Sequence, residues 1–248
     1  MPGLTRHLHY YIDMALPFFY INSFNGEEFI TLDEDTSRHI VQVLRMDAGE
    51  QLNLTDGKGT IWASEISEPH KKNCQVKVIS SSYKDPALRN VTIAISLLKN
   101  TNRFEWFLEK ATEIGISEII PLICERTEKE KFRWDRMNTI CISAMLQSQQ
   151  CWLPVLHEPI QFGDLVMRQF DTTERFIAHC EEGDKKPLPH IQITKSSNHL
   201  IVIGPEGDFT KEEIDLALQN NFSPVSLGEN RLRTETAGVV AATLLMYR

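Results

Sequence analysis

The sequence predicts an α/β domain on a mostly parallel sheet, preceded by a small β-barrel, and three observations carry that reading. Beyond residue 90, apolar runs bounded by glycine or proline alternate with helical periodicity, the pattern of strands and helices in a parallel sheet. Before residue 80, short segments alternate apolar and polar residues with turn residues between them, the spacing of a small barrel. The third observation is the stretch 200–248, LIVIGPEGDFTKEEIDLALQNNFSPVSLGENRLRTETAGVVAATLLMYR. Its two short strands each run into a glycine-containing loop that opens onto a helix.

In the first part, strands are expected at 18–21 and 28–32. Asp35, Thr36 and Ser37 offer caps for a short helix over 38–44 that places Arg38, His39 and Arg45 toward one end. The alternation returns at 51–55, and Asp56-Gly57-Lys58-Gly59 is a hairpin turn signal. Strands over 61–66 and 75–80 complete the set. Residues 1–15 match no pattern, and His7 and His9 there have no ligand spacing with a carboxylate. The polar run SSSYKDP, 80–86, breaks the periodicity and reads as a boundary. The expected division is an N-terminal extension, 1–16, a barrel, 17–84, and an α/β domain, 85–248.

In the second part, 91–98 is a continuous apolar strand. Asn102 and Glu105 form a capping pair for a helix over 103–114, with Gly115 placed to end it. A strand at 118–124 precedes a dense charge run, 125–136, read as a solvated face. A helix over 135–149 and a strand at 176–179 follow. The run 200–203 has the character of a strand buried on both faces. Thr210, three residues before Glu213, is a capping box for a helix through 219. A strand at 225–227 leads to a final helix, 235–247, apolar on nearly every face.

Composition excludes several classes. Across 248 residues, 42% hydrophobic and 24% charged residues are the proportions of an ordinary globular protein. No apolar run reaches bilayer length. Residues 1–20 lack the apolar core and small-residue site of a signal peptide. Five scattered cysteines with no C-x-x-C pair suit reduced thiols in a cytoplasm and argue against disulfides or a metal centre. The net charge of −8, spread over both parts, assigns any RNA contact to a local patch and not to an overall field.

The candidate site is at the ends of the two C-terminal strands, because ligands of open α/β sheets bind outside the carboxyl edge. Gly204-Pro205-Glu206-Gly207 alone is equally compatible with an ordinary connection. Asn230, Arg231, Arg233, Thr234 and Glu235, crowded between a buried strand and a buried helix, decide for a site.

Three stretches carry a resemblance: RFEWFLEKATEIGISEIIPLICERTE (103–128), IGPEGDFTKEE and LGENRLRTETAGVVAA. Together they closely resemble the RsmE family of 16S ribosomal RNA uridine-N3 methyltransferases, in the trefoil-knotted SPOUT superfamily. SRHIVQVLRMDAGEQLNLTDGKG (37–59) is similar to the family's PUA-like barrel. The resemblance runs from Pro17 onward. It implies a C-terminal SPOUT domain whose deep knot binds S-adenosylmethionine, a homodimer joined through the knotted regions, and 16S rRNA or the small ribosomal subunit as partner. By position, Ile203, Gly204, Pro205, Glu206 and Gly207 would form one cofactor loop. Leu227, Gly228, Asn230, Leu232, Arg233 and Thr234 would form the knot loop. The sequence departs from the commoner pattern at Leu146-Gln147-Ser148-Gln149-Gln150, where many members have Glu-Gln-Ser-x-Arg. It departs again at Asn230-Arg231, in place of a basic-aliphatic pair.

The implied chemistry sets roles. Uridine N3 must lose its imide proton at or before attack, so a base or a cation holding the uridinate is required. Arg233 is the first candidate to hold phosphate or the uracil oxygens. Glu206 is a second catalytic candidate, with fixing the loop as its other reading, and His179 is a candidate base whose other reading is structural. Arg38, His39, Arg45 and Lys58 are the expected RNA contacts, with Lys99, Arg103 and Lys110 behind them. The rival readings are a knotted enzyme acting on transfer RNA or a ribose hydroxyl, and an RNA-binding module without turnover. Gly204, Gly207 and Gly228 favour the enzyme.

Overall fold

The computed structural model describes residues 16–169, 173–191 and 198–247. Residues 1–15, with His7 and His9 and nearly all of the expected N-terminal extension, lie outside them. The chain separates into two compact units.

In the first unit, the described residues up to Thr55 join Ile61–Ser82. The strands are β1 (Phe18–Tyr20), β2 (Phe29–Thr31), β3 (Gln51–Thr55), β4 (Thr60–Glu68) and β5 (Gln75–Tyr83). They form one sheet in the order β1-β3-β4-β5-β2. The expected barrel is thus an open one, edged by β1 and β2. Alternate residues of β3 and β4 point inward, and Leu52, Leu54, Trp62 and Ile66 meet Phe19, Ile40 and Val76 in a single core. β5 continues through Tyr83, so Ser81 and Ser82, read as part of a boundary, are strand.

Between β2 and β3, helix α1 (Glu34–Arg38) continues as one π-helical stretch, His39–Val43. The helix starts earlier than expected because Asp33, not Asp35, is its cap, accepting from the Thr36 amide at 2.9 Å. Leu44 N–H reaches back five residues to the His39 carbonyl at 2.9 Å, and Arg45 ends the turn in the left-handed region at φ 57°.

The second unit holds an all-parallel sheet. Its strands are β6 (Asn90–Ser96), β7 (Glu118–Ile123), β8 (Val155–Leu156), β9 (Ile160–Gln161), β10 (Thr173–Ala178), β11 (Lys186–Pro187), β12 (Asn198–Ile203) and β13 (Ser223–Ser226). The order is β11-β13-β10-β12-β6-β7-β8, with β9 also on β7. Helices α2 (Thr101–Ile114), α3 (Trp134–Gln147), α4 (Phe162–Val166), α5 (Lys211–Gln219) and α6 (Thr234–Met246) complete it.

The apolar runs are continuous because both faces of this sheet are covered. Ile93, Ile95, Ile201 and Ile203 face a core built with α2, α3 and α6. Ala94, Leu200 and Val202, one residue out of phase, face α4 and α5. Helix boundaries follow local chemistry. Thr210 and Glu213 form the expected capping box of α5. Gly115 ends α2 at φ 90°. The α2 cap, however, is Asn100, which accepts from the Asn102 amide at 3.0 Å, and not Asn102. The two-residue strands β8, β9 and β11 and the five-residue α4 went unread because elements this short carry no usable periodicity.

Helix α6 lies against α2 and β6 at close range. A Cβ placed on Gly238 would stand 2.6 Å from the Phe107 ring and 2.9 Å from Ile95 Cδ1. The far end of α6 is fastened by Arg89, itself buried, whose guanidinium donates to the Leu245 carbonyl at 3.0 Å. Gly238→Ala should therefore destabilise the protein by about 1–3 kcal/mol through overpacking. Chemical denaturation measures it, and an unchanged midpoint would show that the contact relaxes without cost.

Candidate functional site

The sheet order creates the site. β10 lies between β12 and β13, so connections from its neighbours leave in opposite senses, and a crevice opens at their carboxyl ends. Three loops meet there: 179–185 after β10, 204–210 after β12, and 227–233 after β13. Two adjoining cavities lie between them. The first, about 420 Å³, is lined by Ala178, His179, Cys180 and Lys185 and by the segment from Val225 to Leu232. The second, about 330 Å³, is lined by Ile203, Gly204, Pro205, Glu206 and Asp208 with Arg231, Leu232, Arg233 and Thr234. Ala178, Cys180, Arg231, Leu232 and Ala237 border both, so the two are lobes of one cleft.

The structure brings together most of the expected cofactor residues. Leu227, Gly228, Asn230 and Leu232 line the first lobe. Ile203, Gly204, Pro205, Glu206, Leu232, Arg233 and Thr234 line the second. Gly207 does not line either lobe; its carbonyl turns away to accept from Arg126 at 2.7 Å. Glu235 is also outside the lining. It is buried at the start of α6, 3.7 Å from Arg103 Nε.

Gly204 and Gly228 suit the cleft for different reasons. A side chain at Gly204 would meet the Phe209 amide at 3.1 Å, so glycine permits the tight turn. At Gly228, φ is 150° and nothing lies within 4 Å of an added Cβ; the backbone there is open to a ligand. Arg233 is exposed at the cap of α6, and Glu206 is exposed on the opposite wall.

Three side chains went unread as parts of this site. Arg126, from the charge run taken as a solvated face, donates to the Gly207 and Phe209 carbonyls at 2.7 and 3.3 Å and holds the loop from behind. Asp208 accepts from the Cys180 amide at 2.7 Å. Lys185 donates to the carbonyls of His179 and Glu181 at 3.0 and 2.6 Å, closing the loop after β10 on itself. Arg231, already among the residues that decided for a site, borders both lobes. No spacing rule predicts these contacts, since each joins separate loops or carbonyls within one.

His179 has its Nδ1 buried without a hydrogen-bond partner among the described residues. Burial first, and then the Lys185 charge, hold its pKa below the usual histidine value against the opposing pull of Asp208 and Glu181. The ring is neutral at pH 7.

The expected RNA contacts lie elsewhere. Arg38, His39 and Arg45 are exposed on one segment of the first unit. Arg38 pairs with Glu34 at 2.9 Å and Asp35 at 3.3 Å, and His39 stands edge-on to Phe19. Lys58, at the hairpin turn Asp56–Thr60, groups with the second unit and is not part of that segment. Lys99, Arg103 and Lys110 face Glu128, Glu235 and the Glu109–Glu113 pair. Gln150, at the site of a departure from the family pattern, donates to the Thr112 and Glu113 carbonyls at 3.1 and 2.9 Å and so closes the end of α2.

Among the described residues, no helix is long and apolar enough to cross a membrane. No cluster of three or more His, Cys, Asp or Glu among them is arranged to hold a metal.

Replacing Arg126 with alanine should free the Gly207 and Phe209 carbonyls at a global cost of about 1 kcal/mol, since the residue is exposed. Amide exchange should accelerate at Asp208, whose N–H closes the same turn on Pro205 O at 2.9 Å. Unchanged exchange there would remove Arg126 from the site.

Comparisons with known proteins bear on the same two units. An RNA methyltransferase domain family matches residues 85–246, and an RNA methyltransferase PUA domain matches 32–79. A relative from Synechocystis sp., ribosomal RNA small subunit methyltransferase E, is 31% identical over 87% of this chain and 72% of its own length. The crystal structure of a "probable rRNA-methyltransferase" from Porphyromonas gingivalis superposes with a TM-score of 0.86 at 38% identity, covering 93% of this chain and 98% of that one. The ribosomal RNA small subunit methyltransferase E from Neisseria gonorrhoeae, bound to S-adenosyl methionine, superposes at 0.82 and 27% identity over 92% and 95% of the two chains. The fold class is that expected above, a PUA-like unit followed by a knotted SPOUT methyltransferase unit. Domain match, overall likeness and a cleft at the carboxyl edge of β10, β12 and β13 agree: the chain belongs to the ribosomal RNA small subunit methyltransferase E family.

Proposed function

We propose that this protein methylates N3 of a uridine in 16S rRNA of the small ribosomal subunit, with S-adenosylmethionine bound in the two-lobed cleft. The observation that carries the reading is the convergence of the 204–210 and 227–233 loops on one cleft. A volume of several hundred Å³ with mixed polar and apolar walls suits a cofactor of that size. Bound S-adenosylmethionine supplies an electrophilic methyl on a sulfonium. The chain's part is to hold, orient and deprotonate. Open backbone at Gly228 and the tight turn at Gly204, flanked by Leu227, Asn230 and Leu232, would grip adenine and ribose. Pro205, Glu206, Arg233 and Thr234 would border the transfer side.

Two steps fall to side chains. Arg233, exposed at the head of α6, would hold the uracil oxygens or phosphate and favour the uridinate. The proton would leave to a base at the cleft. His179 is a neutral ring bordering the first lobe, and Glu206 is a carboxylate bordering the second. Because the target base is part of folded RNA, it would be drawn out before reaction. Residues 17–84 would serve as the RNA-binding domain, through Arg38, His39 and Arg45, and 85–248 as the transferase domain, with Lys58 an added contact.

A homodimer and a cytoplasmic setting belong to the same reading. Val239, Val240 and Leu244 leave α6 half-buried with apolar side chains still partly exposed, which suits a second copy packed against the knotted region. Four of the five cysteines are buried and all are free, as in a reducing compartment.

The test is incubation with radiolabelled S-adenosylmethionine and small subunits from a strain lacking the enzyme, followed by nucleoside analysis. Label should appear in 3-methyluridine, and Arg233→Ala should lower its rate by about a hundredfold or more while cofactor binding persists. Label in another nucleoside would move the specificity to a sister enzyme. Absence of both label and cofactor binding would overturn the proposal.

A further inference from the structure

We propose that Asp208 is a positioning residue of the cleft, whose side chain fastens the loop after β12 to the loop after β10 and so sets the cleft's width. The inference rests on the cleft being the S-adenosylmethionine site. It begins from a backbone anomaly. The 204–210 loop contains two glycines, yet neither Gly204 nor Gly207 is in the left-handed region. The residue that adopts positive φ is Asp208, at 64°. Glycine adopts that conformation freely, and Asp is among the few residues with a side chain that visit it, helped by local hydrogen bonds of its carboxylate; a side chain kept where glycine would be relaxed calls for a role of that kind.

The carboxylate supplies one. Its Oδ2 accepts from the Cys180 amide at 2.7 Å, across to the β10 loop. Its Oδ1 accepts from the Phe209 amide at 2.9 Å. Phe209 is fully buried, packed 4.9 Å from the Phe162 ring, so the tie runs from the core to a residue bordering both lobes. Such charge-assisted bonds are the strong kind. The Cys180 thiol registers the same proximity: burial first, and then the Asp208 charge, raise its pKa. Arg126 grips the loop from the other side through the Gly207 and Phe209 carbonyls. The turn is therefore held at both flanks, and its one left-handed residue borders the cleft.

Two variants separate carboxylate from backbone shape. Asp208→Gly relaxes the left-handed turn and deletes both bonds. Asp208→Asn tolerates the same φ and keeps an oxygen for the Cys180 amide. S-adenosylmethionine dissociation constants would be measured by calorimetry, with amide exchange at Cys180 followed in protein without cofactor. The expected result is a dissociation constant raised about tenfold or more by glycine, with melting temperature held, and partial rescue by asparagine, which has one acceptor oxygen where aspartate uses two. Cys180 exchange should accelerate in the glycine variant alone. Glycine binding as tightly as the original would overturn the proposal, and so would asparagine failing as glycine does, since charge and not the bridge would then matter. If the unaltered protein bound no S-adenosylmethionine, the functional reading would fall. Cys180 exchange would still decide the tie: faster exchange with glycine would uphold it, and unchanged exchange would reject it.

Discussion

Burial of the parallel sheet on both faces is the constraint from which the rest of this structure follows. Ile93 and Ile95 face one core while Ala94 faces the other, and Ile201 and Ile203 alternate in the same way with Leu200 and Val202. Strands so enclosed have no position for a charged side chain without a large desolvation cost. Polar chemistry is displaced to the strand ends. At the carboxyl edge the loops after β10, β12 and β13 receive it, and their backbones are pinned at both ends by core. A loop fixed this way presents groups to a ligand without having to order them on binding, which lowers the entropic cost of holding it.

The same enclosure explains the composition of α6. Both its faces are in apolar surroundings or partly so, hence a helix with almost no polar side. Its small residues are placed by contact. Gly238 stands where the Phe107 ring and Ile95 leave no room for a methyl group, and Ala241 and Ala242 are fully buried beside it. Close approach of α6 to the sheet brings its first turn, Thr234 and Glu235, under the cleft. Packing at one end of the helix thus fixes the position of Arg233 at the other.

Much of this was legible from local sequence, and the reasons for success and failure are physical. The Thr210–Glu213 capping box and the Gly115 terminator were read correctly because both are satisfied within a few residues of chain. Caps at Asp33 and Asn100 were each misplaced by two residues, since neighbouring Asp, Thr, Ser or Asn side chains offer equivalent acceptors and only tertiary packing chooses. Most of the cleft's glycine-loop residues were found because loops at strand ends follow from fold class. Arg126, Asp208 and Lys185 were not, because their roles are hydrogen bonds to backbone groups of loops. Arg126 lies 81 residues from the carbonyl that it holds at Gly207. Gly207 differs from its neighbours in the motif: its carbonyl accepts from Arg126, and it lines neither lobe.

The charge pattern raises a last physical point about an acidic chain that is to engage RNA. Arg38, Lys99, Arg103 and Lys110 each face a carboxylate of this same chain. Where both partners are exposed, as for Arg38 and Lys99, such pairs contribute little, so exchanging a carboxylate for a phosphate costs little and gains little beyond released counterions. At these positions a phosphate must compete with a carboxylate already in place, which lowers non-specific attachment to nucleic acid there. Affinity must then be gathered from shape, from cations elsewhere on the chain, and from recognition of the target base. An enzyme that acts on one uridine within a long RNA has reason for that arrangement, since weak grip on the wrong sites speeds its search for the right one.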